Sequence, residues 1–239
     1  MWNGKGTNYV LDWANSSNRK KMLGKEKIKA IIFDMDGVLF YSTACHEEAF
    51  RLVLTEDEGE DFIYSEVAGM RTDEALRFFY TKRQRPFDEA FIEKKMSEKR
   101  GYALRLLRDR GRVASGVFPL LQKLQLQYRL VLASSASPET VDLFLDMSQT
   151  KVFFDFILDG SMVKNAKPEP EIYQLAVQKL GVLPEECVVV EDALKGAEAS
   201  QKAGIPMIIV STADNKEEFL HFKPFMIVSE VQEVEKILL

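Results

Sequence analysis

Apolar positions fall in two rhythms along the chain. Lys29-Ala-Ile-Ile-Phe-Asp34 is a short, β-branched apolar run that ends in polar residues and Gly37. That pattern predicts a buried strand followed by a turn. Runs of the same kind lie at Arg129 to Ser134, Phe153 to Leu158, Cys187 to Glu191 and Pro206 to Val210, and Phe225 to Val228 adds a shorter one. Between them the spacing becomes helical. From Pro170 to Leu180, Ile172, Leu175, Ala176 and Leu180 share a face, with proline near the start and Gly181 just past the end. Ala193 to Ala203 stops at Gly204, and Val117 to Leu126 carries Leu120, Leu121 and Leu124. Alternating strands and helices predict an α/β fold with a parallel sheet covered on both faces.

One stretch breaks the alternation. From about Thr43 to about Arg112 there is no convincing β-run, and helical patterns cover Thr43 to Leu54, Thr72 to Arg83 and Phe87 to Asp109. A helical insertion directly after the first strand and turn suggests a lid, with linkers near Phe40–Ser42 and Gly111–Gly116. The division expected is an extension over residues 1–26, a core over 27–42 and 113–239, and a helical cap over 43–112.

Composition narrows the function. At 239 residues the chain is long enough to bury a core without a staple. Lysine plus arginine is 32 against 37 acids, a net charge of −5. That leaves no basic excess to neutralise a nucleic-acid backbone. Cys45 and Cys187 show no metal-ligand spacing, and reduced thiols of a cytoplasmic protein are expected. No apolar run reaches membrane-spanning length, and residues 1–27 contain no secretory apolar segment. A monomer is compatible with all of this.

Ligands of parallel sheets bind at the carboxyl ends of the strands. Asp34, Ser134, Glu191 and Asp192 all fall there. Asp34-Met-Asp36-Gly places two carboxylates beyond an apolar strand, where unpaired charge is costly. They read as a polar turn or as a site with a cation against it. For Asp192 the alternative to a site role is capping the helix that follows. Four acids at one edge call for a hard cation, and such oxygen ligands suit Mg²⁺. Lys167 in Lys-Pro-Glu-Pro and Ser134 at a strand end would be ordinary alone. With the acids they form a set for phosphoryl transfer.

These residues, in this order, resemble the haloacid dehalogenase-like superfamily, in the branch of β-phosphoglucomutase and small-molecule phosphatases with an α-helical cap. The resemblance covers roughly Lys27 to Leu239. It implies a Rossmann-like core, Mg²⁺ and a small phosphorylated metabolite such as a sugar phosphate. It implies Asp34 as nucleophile, Asp36 as acid and base, Ser134 and Lys167 as phosphoryl and carboxylate partners, and Asp34, Asp36, Glu191 and Asp192 around the metal. His46 falls where the branch often has a histidine, although a helix-surface histidine is an equal reading. Arg71 in Gly69-Met-Arg-Thr72 is expected to meet a distal phosphate or carboxylate, and Ser135 joins it as a substrate contact. Tyr41 stands where the branch has an acid, and Ser137-Pro138 where the mutase has a lysine and asparagine pair. These departures favour a hydrolase. The alternatives are a phosphomutase, a receiver-like signalling module phosphorylated on Asp155 or Asp159, and an idle binding protein.

Overall fold

Strand β1 (Ala30–Phe33) is buried along its whole length, which only a central strand can be. It pairs in parallel with β4 (Arg129–Ala133) on one side and β6 (Cys187–Glu191) on the other. The sheet is completed by β5 (Phe156–Leu158), β7 (Met207–Val210) and β8 (Met226–Val228), in the order β5-β4-β1-β6-β7-β8. The computed structural model describes residues 27–211 and 215–239. The extension expected over residues 1–26 lies outside them.

The two-residue period of a strand sends alternate side chains to opposite faces. Ile31 and Phe33 join one apolar cluster with α5 (Val117–Leu124), α6 (Pro138–Ser148) and the helix Glu233–Leu238. Ala30 and Ile32 join the other with α7 (Glu171–Leu180) and α8 (Leu194–Ala203). The fold class is therefore α/β with a parallel sheet covered on both faces.

The inserted segment carries α1 (Thr43–Arg51), α2 (Glu56–Glu60), α3 (Thr72–Lys82) and α4 (Glu89–Arg110). It buries its own cluster of Phe50, Phe62, Val67, Ala75, Leu76, Phe79, Tyr80 and Ile92, separate from both faces of the sheet. Where the chain enters and leaves this segment, β2 (Phe40–Tyr41) pairs antiparallel with β3 (Arg112–Val113). Two-residue strands carry no readable period, so the sequence offers only linkers here. The strand expected from Phe153 begins at Phe156, because Lys151–Phe153 form a 3₁₀ turn that sinks Phe153 into the core. No described helix is long and apolar enough to cross a membrane. Cys45 and Cys187 are free and buried.

Candidate active site

Strand register builds the centre of the site. Phe33 pairs with Leu132 and Val190. The next residue, Asp34, therefore stands between Ala133 and Glu191 at the carboxyl edge. Lys167 arrives from the loop before α7 and is fully buried. Its Nζ donates to Asp34 Oδ1 at 2.5 Å, Glu191 Oε1 at 2.7 Å and the Ala133 carbonyl at 3.3 Å. An ammonium has three donors, and all three are used. Burial alone would discharge this lysine, but the charges of Asp34 and Glu191 raise it well above its ordinary range and keep it cationic.

Glu191 is filled from both sides. Its Oε1 also accepts from Tyr173 Oη at 2.8 Å, and its Oε2 accepts the amides of Asp192 at 2.9 Å and Ala193 at 3.0 Å. The turn amides before α8 are thus taken by Glu191, and the helix N-cap is Ala193 rather than Asp192. A Cβ at Gly196 would lie 1.6 Å from Glu191 Oε1, so this packing requires glycine there. Asp192 lines a neighbouring pocket with Gly37, Val38 and Ser229. Burial raises it well above the carboxylate range, and Glu191, Asp34 and Asp36 add to the shift. Burial likewise raises Asp34, with Lys167 opposing and Glu191 and Asp36 reinforcing.

Carboxylate oxygens of Asp34, Glu191 and Asp192 lie within 4.8 Å of one another. Burial is the main cause that raises Asp34 and Asp192, and the neighbouring carboxylates add to it. A hard divalent cation fits this donor set, because it would supply the missing charge to oxygen ligands. Asp34 and Asp192 are the better placed to hold it, since the four hydrogen bonds to Glu191 occupy its lone pairs.

Asp36 lies in the turn after β1. Gly37 there has φ of +81°, and a Cβ on it would fall 1.8 Å from Asp192 Oδ2. Both the backbone angle and the space therefore demand glycine. Asp36 Oδ1 accepts from Ser42 Oγ at 2.5 Å and meets His46 Nε2 at 3.2 Å. Burial works against its charge, but His46 and Ser42 outweigh burial and lower Asp36. His46 is buried on α1, so the surface reading of that histidine does not hold. Its Nδ1 lies 3.0 Å from Lys99 Nζ. Burial and Lys99 lower His46, leaving a neutral ring that donates from Nε2 to Asp36 and accepts at Nδ1.

Lys99 was not legible as a site residue. It sits in the basic run of α4 beside Lys94 and Lys95, with nothing in its spacing to set it apart. Burial pulls it down to about 7, against the Coulombic help of Asp36. The unfolded chain keeps that proton up to about pH 10, while the folded chain gives it up near 7. Stability should therefore rise with pH between about 7 and 10 from this group. Lys99→Met is expected to flatten that rise, as read by urea unfolding at several pH values. Equal slopes in both proteins would mean that Lys99 is charged in the fold.

Ser134 closes β4, and its Oγ accepts the amide of Ala136 at 3.0 Å, which leaves its O–H to donate. Ser135 lines the cavity and donates to the Gly69 carbonyl at 2.8 Å. Tyr64, another residue the sequence did not single out, lines the same cavity. Burial lifts its phenol well above the ordinary range, and the charges of Asp36, Asp192, Glu47 and Asp34 add to the shift.

Arg71 is a correction. It was expected to meet a distal anion of the substrate, but its guanidinium is turned to the seam between inserted segment and core. There it bonds Asp73, Glu74 and the carbonyls of Gly160, Val163 and Lys164. Asp34, Asp36, His46, Ser134, Ser135, Lys167, Glu191 and Asp192 are grouped at one edge; Arg71 is not among them. Tyr41, the departure at the linker, is half exposed on β2.

Residues 28–204 match a family model described as haloacid dehalogenase-like hydrolase. The phosphorylated carbohydrates phosphatase of Thermotoga maritima is 32% identical over 76% of this chain and 84% of its own length. The structure of CbbY from Rhodobacter sphaeroides in complex with phosphate is 25% identical, with a TM-score of 0.71 over 87% of this chain and 96% of that one. A β-phosphoglucomutase from Clostridium difficile, 23% identical, shares the fold with a TM-score of 0.73 over 88% and 97%.

Proposed function

The chain belongs to the haloacid dehalogenase-like hydrolases, and within them we propose that it is a Mg²⁺-dependent phosphatase of a small phosphorylated metabolite. The observation that carries this reading is the fully buried Lys167 bridging Asp34 and Glu191, with a carboxylate oxygen of Asp192 within 4.8 Å of theirs. Relatives named for phosphorylated carbohydrates and for hexitol support a sugar or polyol phosphate. Residues 43–112 act as the cap that covers the reacting atoms.

In the proposed reaction Asp34 attacks the phosphorus. Lys167, itself held by Glu191, fixes the Asp34 Oδ1, which leaves Oδ2 to form the new O–P bond as the ester O–P bond breaks. Asp36 passes a proton to the departing alkoxide. Water then attacks the aspartyl phosphate, Asp36 takes the water's proton, and Asp34 is released with inorganic phosphate. The resting Asp36 is held ionised, which suits the second half. For the first half it must gain a proton, and a dianionic ester arriving beside it favours that. His46 and Ser42 hold Asp36 in place, and Ser134 donates to a phosphoryl oxygen. A divalent cation held by Asp34 and Asp192, with Asp36 beside them, would supply charge neutralisation for the phosphoryl oxygens.

A phosphomutase shares this core chemistry but must also hold a second phosphate. The commitment of Arg71 to the seam supports the hydrolase. The test is phosphate release from a panel of sugar and polyol monophosphates with Mg²⁺. Isomerisation without release would replace the phosphatase by the mutase. Chelation by EDTA is expected to abolish release. Saturating Mg²⁺ is expected to raise the unfolding midpoint by roughly 5 °C, because it binds only the folded state. A midpoint indifferent to Mg²⁺ would contradict the metal assignment.

A further inference from the structure

The cavity over Asp34 and Asp36 holds only about 50 Å³. Residues of the inserted segment (His46, Tyr64, Thr72) and of the core (Asp34, Asp36, Ser135) line it together, so contacts across the seam between the two set its width.

Among them, the hydrogen bonds of Arg71 and Glu74 converge on one loop. Arg71 Nη1 donates to the carbonyls of Val163 at 2.9 Å and Gly160 at 3.2 Å, and Nη2 to that of Lys164 at 3.2 Å. Glu74 Oε1 accepts the amide of Ala166 at 2.9 Å. The two preceding amides, Lys164 and Asn165, go to Glu171 at 2.8 Å each. Three successive N–H groups thus end on carboxylates, two held from the core side and the third from the inserted segment. The next residue is Lys167, whose ammonium fixes the proposed nucleophile.

Arg71 is built to stay there. Asp73 binds it with both oxygens, at 2.7 and 3.2 Å, and Glu74 at 3.2 Å. Burial opposes the charge of Asp73, yet the bonds from Arg71 and Arg77 bring it down to about 2. A planar, charged fork can serve several carbonyls at once in a way a lysine cannot.

We propose that Arg71 and Glu74 form a clasp that shuts the helical segment onto the core and, through the loop it grips, sets Lys167 against Asp34. Arg71 is then a positioning residue that links closure to the readiness of the nucleophile. In the open state the 160–166 loop loses its outer partners and Lys167 loosens. Hydrolysis is confined to the shut state. The catalytic part of this inference rests on the phosphatase reading.

The test compares the full-length protein with Arg71→Ala, Glu74→Ala and Arg71→Lys. It reads steady-state hydrolysis of p-nitrophenyl phosphate with Mg²⁺, thermal unfolding, and amide hydrogen exchange without ligand. Arg71→Ala is expected to lower kcat about 10- to 100-fold and to lower the unfolding midpoint by roughly 5 °C, with the protein still folded at assay temperature. Exchange over residues 160–168 should quicken roughly tenfold while β1 stays protected. Arg71→Lys should fall between, and Glu74→Ala should add little on top of Arg71→Ala, because both act on one clasp. If Arg71→Ala fails to fold, Arg71→Lys carries the comparison. A kcat within about twofold of the parent, or unchanged exchange over 160–168, overturns the clasp. If the parent releases no phosphate from any ester, the phosphatase reading falls, and the exchange comparison decides the clasp by itself.

Discussion

Asp34→Asn is expected to remove ester hydrolysis, by at least about 10⁴-fold in kcat, and to leave the protein folded. The amide cannot form the O–P bond, so no other group at this edge replaces it. Stability should hold or improve, because burial already pushes Asp34 up and Glu191 and Asp36 repel its charge. Lys167 keeps Glu191 as its counter-charge in the variant. Phosphate release and thermal unfolding measured on the same preparation check both halves. A variant that hydrolyses esters at the parental rate would remove Asp34 from the mechanism.

The second large effect is on stability. Lys167→Met strips the one cation from Asp34 and Glu191, both buried. Breaking a buried pair from one side costs about 3–5 kcal/mol, a sizeable share of a typical domain's roughly 5–15 kcal/mol. The pH dependence has a definite sign. Carboxyls whose folded pKa lies above the unfolded value bind more protons in the fold, so stability is lost as pH rises. Asp34 and Asp192 are already raised, and removing Lys167 raises Asp34 further. The deficit of Lys167→Met from Asp34 should therefore be level on the acid side and grow as pH rises through about 8, as read from urea unfolding. A deficit that grows toward acid would mean the carboxyls are not raised.

The legibility of the fold follows from how each element is held. β1 and the inner residues of β4 and β6 are apolar because they are covered on both faces, so composition marks them and their polar ends together. That is why Asp34, Ser134, Glu191 and Asp192 could be grouped before any coordinates. The ribbon of Phe40–Tyr41 with Arg112–Val113 was hidden, since its two strands are too short to show a period. Helix Pro138–Ser148 carries proline in its first turn and Val141, Phe144 and Leu145 at helical spacing, a short pattern that follows directly on the strand-end serines.

The site was legible where chemistry sits next to a strand and illegible where it depends on packing. Lys99 resembles every other lysine of its helix until the fold buries it against His46 and the Phe50 ring. Tyr173 lies on the apolar face of its helix, and only the fold shows that its hydroxyl reaches Glu191. Arg71 misled for a related reason. A cap-loop arginine suggests an anionic substrate group, but its partners are backbone carbonyls about ninety residues on, and backbone acceptors carry no sequence signature.

The account stands on a covalent bond between phosphorus and the Asp34 carboxylate. Borohydride reduces an acyl phosphate, so the enzyme can be quenched during turnover, reduced and mapped by peptide mass spectrometry. The expected result is residue 34 converted to homoserine, in proportion to enzyme trapped with substrate and absent without it. Aspartate intact at position 34 during active turnover, with label on another residue or on none, would contradict it.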